Sequence, residues 1–232
     1  MTEITIDQLS KTISKNTVLK DISMTMHSGR IYGLQGVNGS GKTMLMRSII
    51  GLIHPTSGSI SVNGKCLGKD IEFPESIGFL LENPAFLDGY SGFDNLKILT
   101  SIKGGQSDEQ IQNMLTTVGL ETAGKKKYRK YSLGMKQRLG IAAAVMENPD
   151  IIILDEPTNA LDSAGVEMVK TILQEQKRRG ALLIISCHDA AVLSELSDEI
   201  FQMENGRILK HLNINEDSTW TRGEKNGETE HE

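Results

Sequence analysis

The segment Gly36-Val37-Asn38-Gly39-Ser40-Gly41-Lys42-Thr43 gathers three glycines, a lysine and a hydroxyl in the pattern G-x-x-x-x-G-K-[ST]. Glycine at 36, 39 and 41 lets successive backbone N–H groups curl around an oxyanion, and a helix starting where the loop ends turns its positive pole to the same point. The ligand implied is the phosphate chain of a nucleotide. Lys42 is placed to reach the β- and γ-phosphates, and the Thr43 hydroxyl to ligate Mg²⁺. A Gly-rich turn with a solvated lysine needs neither the strand-like RIYGLQ before the loop nor the helical TMLMRSIIG after it.

Two further segments carry groups suited to hydrolysis. IIILDEP (151–157) ends an apolar run in Asp155 and Glu156, at the strand edge where α/β sheets form their ligand crevice. Asp155 reads as a Mg²⁺ ligand acting through water, and Glu156, one residue further on, as general base for an attacking water. Taken alone, the segment also fits a strand ending in solvated acids. The run ALLIIS leads into Cys187-His188-Asp189. A histidine after a strand is more often structural than catalytic. Here a neighbouring parallel strand would deliver His188 to the edge carrying Glu156, within reach of a γ-phosphate or of the water. His27, His54, His211 and His231 have no such setting.

A second anion site follows the basic run Lys125–Lys130. A helix beginning near Ser132 would point the Ser132 hydroxyl and its first free N–H groups forward, and Gly134 leaves room for close approach. One chain already holds its phosphates at Gly36–Thr43, so Ser132, Leu133, Gly134 and Met135 suggest a nucleotide carried by another subunit. The basic run itself reads as a solvated approach to that helix rather than a polyphosphate holder.

The elements that must position these groups are legible in outline. ITIDQL, VLKDISMTM and RIYGLQ are β-rich, and GSISVNGK adds a strand closed by Asn63-Gly64. Between residues 95 and 120 apolar residues recur at helical spacing, broken at Gly104-Gly105, with Ser107 as N-cap. Ile151–Leu154 and Ala181–Ile185 read as buried parallel strands, each followed by a crossover helix. The expected fold is α/β: a mixed core sheet, an N-terminal antiparallel β-subdomain and a helical lobe inserted over about 83–147, all in one domain spanning 1–212. Residues 213–232 are polar and read as a flexible tail.

Composition narrows the class. The 232 residues carry 25 basic and 30 acidic side chains, a net charge of -5, which gives no global pull toward nucleic acid or anionic membrane. Apolar runs such as IAAAVM are too short to span a bilayer, and MTEITID lacks a secretory core. Cys66 and Cys187 lack metal-ligand spacing and read as free thiols in a reducing, cytoplasmic setting.

The order GVNGSGKT, YSLGMKQR, IIILDEPTNALD, ISCHD resembles the ATP-binding subunit of ABC transporters, a P-loop NTPase, over residues 1–212. The resemblance implies ATP and Mg²⁺ as cofactors. It also implies a homodimer or paired cassette closing head to tail, so that Ser132–Met135 face ATP held by the partner's Lys42. Asn159, Ala160, Leu161 and Asp162 match the family's D-loop, which crosses that interface. A separate integral membrane permease follows, placing the chain on the inner face of the membrane, with Phe86, Leu87 and Tyr90 as candidate contacts for a permease helix.

Three positions depart from the family's commonest pattern. Ile13 stands where an aromatic residue usually stacks on the base. Glu82 stands where a glutamine usually joins the lobes, and its carboxylate is counted among both the catalytic and the metal-binding groups. Met44 replaces a second threonine, leaving only a backbone donor for the α-phosphate. IGFLLENPAF with SLGMKQRLGIA resembles ATPases serving exporters of peptide antibiotics, including bacitracin-type and lantibiotic systems. The alternative, a soluble ABC ATPase acting on ribosomes or nucleic acid, predicts paired cassettes in one chain or heptad arms and a strongly basic face. None of these is in the sequence. A small-molecule kinase would leave YSLGMKQR and DEPTNALD unexplained.

Overall fold

Short β-rich segments divided by tight turns pair as the pattern requires. In the computed structural model, which describes residues 1–214, β1 (Glu3–Ile13) and β2 (Asn16–His27) form an antiparallel hairpin. Its two-residue turn is Ser14-Lys15, with φ of 46° and 73°, the positive values such a hairpin turn demands. β4 (Ser57–Val62) pairs with the other edge of β1 and with the short β5 (Lys65–Cys66), giving the order β2-β1-β4-β5.

The second sheet explains the continuous apolar runs. It comprises β3 (Ile31–Gln35), β6 (Ile77–Leu80), β7 (Ile151–Leu154), β8 (Leu182–Ser186), β9 (Glu199–Glu204) and β10 (Arg207–Asn213), in the order β10-β9-β3-β8-β7-β6. All neighbours are parallel except the β9–β10 hairpin. Side chains alternate between faces, and both faces are covered. Ile151, Ile153, Leu182 and Ile184 pack toward the antiparallel sheet together with Leu45, Met46 and Ile49 of α1 (Lys42–Ile50). Ile152, Leu154, Leu183 and Ile185 pack with the helices on the opposite face. β6 was not foreseen as a strand. Gly78 interrupts it, where a Cβ would lie 1.8 Å from the Ala144 carbonyl: the strand gives up a side chain so that a helix can lie directly on it. The β9–β10 hairpin was likewise unread.

Between β6 and β7 lie α2 (Gly92–Ser101), α3 (Asp108–Thr117) and α4 (Leu133–Val145). The first two start with reciprocal capping boxes, Ser91 with Asp94 and the foreseen Ser107 with Gln110. Tyr128 and Tyr131 donate their hydroxyls to the Pro84 and Ala123 carbonyls. Burial pushes both phenols above their ordinary pKa, so they stay neutral donors and pin the segment before α4. α5 (Ser163–Arg178) follows β7, and α6 (Ala190–Leu196) follows β8. Asn213 ends β10, and the Ile214 N–H donates to the Asp198 carbonyl at 2.8 Å. Residues 213 and 214 of the expected tail thus belong to the fold, and residues 215–232 lie outside the described residues. No helix among the described residues is long and apolar enough to cross a membrane.

Ile184 is fully buried between the two sheets. Ile184→Ala is expected to lower the unfolding free energy by about 2–5 kcal/mol, measured by chemical denaturation.

Candidate nucleotide site

Parallel strands deliver their C-terminal ends to one edge, and the predicted groups meet there. β3 runs into the glycine loop, β7 into Asp155-Glu156 and β8 into Cys187-His188, with Leu34 opposite Ser186 and Leu154 opposite Ile185 in register. A cleft of about 280 Å³ is lined by Asn38 to Met44, Asp155, Glu156, His188 and Val18.

The loop is shaped for an anion. Gly39 and Gly41 have φ of 80° and 109°, conformations that side chains resist. At Gly36 a Cβ would lie 2.3 Å from the Met203 carbonyl and 2.6 Å from Ser40 Oγ. Helix α1 starts on Gly41 with no side-chain cap, and the N–H groups of Gly39, Gly41, Lys42, Thr43 and Met44 find no acceptor among the described residues. Ser40 Oγ, in a residue 1% exposed, is also without a partner among them. Converging donors left unsatisfied at a helix N-terminus fit a polyphosphate. The Lys42 ammonium bonds the Gly36 and Val37 carbonyls at 2.7 and 3.3 Å, bringing a positive charge to the loop mouth.

The carboxylates occupy different environments. Asp155 is 6% exposed; Thr43 Oγ1 donates to its Oδ2 at 2.5 Å, and the buried Ser186 hydroxyl donates to its Oδ1. A hydroxyl beside a carboxylate is an all-oxygen donor set that suits Mg²⁺, which completes its shell with phosphate oxygens and water. Glu156 has φ of 53°, a left-handed conformation unusual for a non-glycine residue. Its N–H donates to Ser186 Oγ at 2.9 Å, and its Oε2 accepts the His188 N–H at 3.0 Å. His188 Nε2 lies 3.6 Å from Glu156 Oε1. Asp189 caps α6, accepting from Ala191 and Val192, which fixes the chain immediately after His188.

Of the residues predicted for this cleft from outside the glycine loop, Ile13 and Glu82 do not line it. Ile13 closes the β1–β2 hairpin at its tip, paired with Asn16 and 42% exposed; Val18, two residues past that turn pair, lines the cleft instead. Glu82 has φ of 57°, and its carboxylate is ion-paired with Arg47 of α1 at 2.5 Å, so that a local cation holds the charge the substitution introduced. Sequence reasoning also missed Ser186, for which a serine at the end of an apolar run gave no signal.

The residues expected to form a second anion site line a separate cleft. Ser132 caps α4, its Oγ accepting the Met135 N–H at 3.2 Å, which leaves its hydroxyl hydrogen free to donate outward. Leu133 is 70% exposed. The same cleft is lined by Gly134, Met135, Ala160, Leu161 and Asp162. The close approach expected at Gly134 is made within the chain: a Cβ there would lie 2.8 Å from the Ala160 carbonyl. Asp162 Oδ1 caps α5 through the Gly165 N–H at 2.9 Å.

Known proteins are similar to this chain. The family model for ABC transporters matches residues 19–159. The uncharacterized ABC transporter ATP-binding protein YybJ of Bacillus subtilis (strain 168) is 51% identical over 205 residues, covering 88% of this chain and 94% of that protein. The lantibiotic transport ATP-binding protein SrtF of Streptococcus pyogenes is 37% identical over 205 residues, 88% of each chain. The bacitracin transport ATP-binding protein BcrA of Enterococcus faecalis is 37% identical over 215 residues, 92% of this chain and 70% of that one. A solved ATP binding subunit of an ABC transporter superposes with a TM-score of 0.83 at 27% identity, covering 91% of this chain and 90% of the other. A dimeric cassette bound to ADP and Pi shares the fold, with a TM-score of 0.82 at 22% identity over 91% and 98% of the two chains.

Gly36→Ala places a methyl against backbone, and is expected to cost about 1–3 kcal/mol of stability and to weaken ATP binding. Thermal shifts measured with and without Mg-ATP separate the two effects. The family model, the sequence kinship and the shared fold together place this chain in the ABC transporter family, as an ATP-binding subunit and ATPase.

Proposed function

We propose that this chain powers export of a peptide antibiotic or related amphiphile, acting as one of two cassettes on a separate membrane permease. The observation that carries this reading is the presence of two separate clefts on one chain, each at a helix N-terminus, with Asp155 and Glu156 lining only the first. A half-site of signature residues is used when a second cassette supplies the loop. Kinship with bacitracin- and lantibiotic-transport proteins supports the substrate class.

In this reading the loop N–H groups and Lys42 bind and orient the phosphates, and Thr43 and Asp155 would hold Mg²⁺, which would supply charge neutralisation for the transferred phosphate. Glu156 accepts a proton from the attacking water, and His188 holds the carboxylate or the γ-phosphate. Ser132 and the first N–H groups of α4 close on the γ-phosphate bound to the partner. Asn159 to Asp162 lie beside them and link the two sites.

The permease surface is proposed at the apolar groove of about 680 Å³ between β6 and α2. Phe73 and Phe79, 53% and 44% exposed, line it with Leu52 and Phe86. Of the three residues expected to meet a permease helix, Phe86 lines the groove and packs edge-on against Tyr128 at 5.4 Å. Leu87 and Tyr90, each 50% exposed, do not line it.

Glu156→Gln is expected to retain ATP affinity while slowing hydrolysis by about 100-fold or more, and to accumulate an ATP-dependent dimer on size-exclusion chromatography. Undiminished turnover without dimer rejects Glu156 as base. Ser132→Arg should leave ATP binding to its own loop intact and prevent that dimer. Phe79→Asp should reduce co-purification with a permease co-expressed with this chain, while ATP affinity of the isolated chain is unchanged; full retention on the permease rejects the groove.

A further inference from the structure

One face of α4 grips the catalytic segment of its own chain. Gly134, Gln137 and Arg138 are spaced i, i+3 and i+4 and so lie together on that face. Gly134 packs against the Ala160 carbonyl, with no space for a Cβ. Gln137, 7% exposed, donates its Nε2–H to the backbone carbonyl of Glu156 at 3.0 Å. Arg138 donates to the Val118 carbonyl and to Asp162 Oδ1, each at 3.2 Å. The three contacts meet the start, middle and end of the segment 156–162. Two residues in that segment, Glu156 and Ala160, have φ of 53° and 61°. Such backbone persists only where its surroundings over-determine it.

We propose that Gln137 and Arg138 are positioning residues for ATP hydrolysis. Gln137 fixes the peptide that aims the Glu156 carboxylate, and Arg138 fixes the Asp162 end of the same segment, so the start of α4 and residues 156–162 move as one body. The proposal rests on the reading of Glu156 as general base. The Glu156 peptide is held on both sides, its N–H by Ser186 and its carbonyl by Gln137. Removing the Gln137 donor leaves that carbonyl with only the Asn159 N–H at 3.1 Å and loosens a left-handed peptide. A displacement of about 1 Å at a catalytic group can cost on the order of 100-fold in rate.

Gln137→Met keeps the length and volume of the side chain but cannot donate. In the full-length chain it is expected to lower kcat by about tenfold to 100-fold, with ATP affinity, titrated by a fluorescent ATP analogue, and thermal midpoint near those of the parent. In a Glu156→Gln background the same change should alter the residual single-turnover rate by less than about twofold, because no base remains to be aimed. Arg138→Met, at a half-buried position, should repeat the kcat loss, and Arg138→Lys should recover part of it, since an ammonium still reaches Asp162; this pair decides the matter if Gln137→Met does not fold. Parental kcat in Gln137→Met and Arg138→Met, or an equal loss in the Glu156→Gln background, overturns the proposal. If Glu156→Gln alone hydrolyses at the parental rate, the reading of Glu156 fails and the proposal falls with it. A slow Glu156→Gln beside a fully active Gln137→Met overturns the positioning role alone.

Discussion

Parallel pairing of β3, β8 and β7 is the constraint on which the rest of the molecule depends. Three strands in register end at one edge, and each continues into a different piece of chemistry: the glycine loop, His188, and Asp155-Glu156. Because the sheet is buried on both faces, a one-residue slip of β7 would exchange Ile152 and Leu154 with Ile151 and Ile153 and misfit both cores. The same slip would carry Asp155 away from Thr43. The register that the hydrophobic effect selects therefore also sets the distance between the phosphate loop and the carboxylates.

Some of the non-glycine residues with positive φ lie just past β6 and β7. Glu82, Glu156 and Ala160 all have positive φ without being glycine, and each is held by a neighbour from another element. Arg47 pairs with Glu82, Ser186 and Gln137 bracket the Glu156 peptide, and Gly134 abuts Ala160. Distributing those restraints over α1, β8 and α4 means that a shift of the helical segment is felt at the catalytic strand through direct contacts.

Charge is arranged locally against a net negative background. With a net charge of -5, attraction for polyphosphate comes from one ammonium, a helix N-terminus and unsatisfied N–H groups focused in one concave loop. Asp155 and Glu156 sit beside this positive end, and Ser186 links them by accepting from one and donating to the other.

How much was legible depended on whether a group's role was encoded by its immediate neighbours in the chain. The glycine loop, the Asp155-Glu156 pair, the Ser107 and Ser132 caps and the parallel strands IIIL and ALLIIS are local: glycine freedom, capping chemistry and two-sided burial act within a few residues, so composition and spacing suffice. The chain's own sequence likewise determined the order strand, loop, helix that makes the phosphate site. Position across the fold was not legible. Val18 reaches the cleft and Ile13 does not because of a hairpin turn; Glu82 is claimed by Arg47, 35 residues earlier in the chain; β6 is a strand because α4 lies on its glycine. Gln137 and Arg138 look like ordinary polar helix residues until α4 is laid on the segment after β7. Only tertiary structure could decide these, because each depends on which distant backbone group lies within about 3 Å of a side chain, and linear spacing holds no record of that distance.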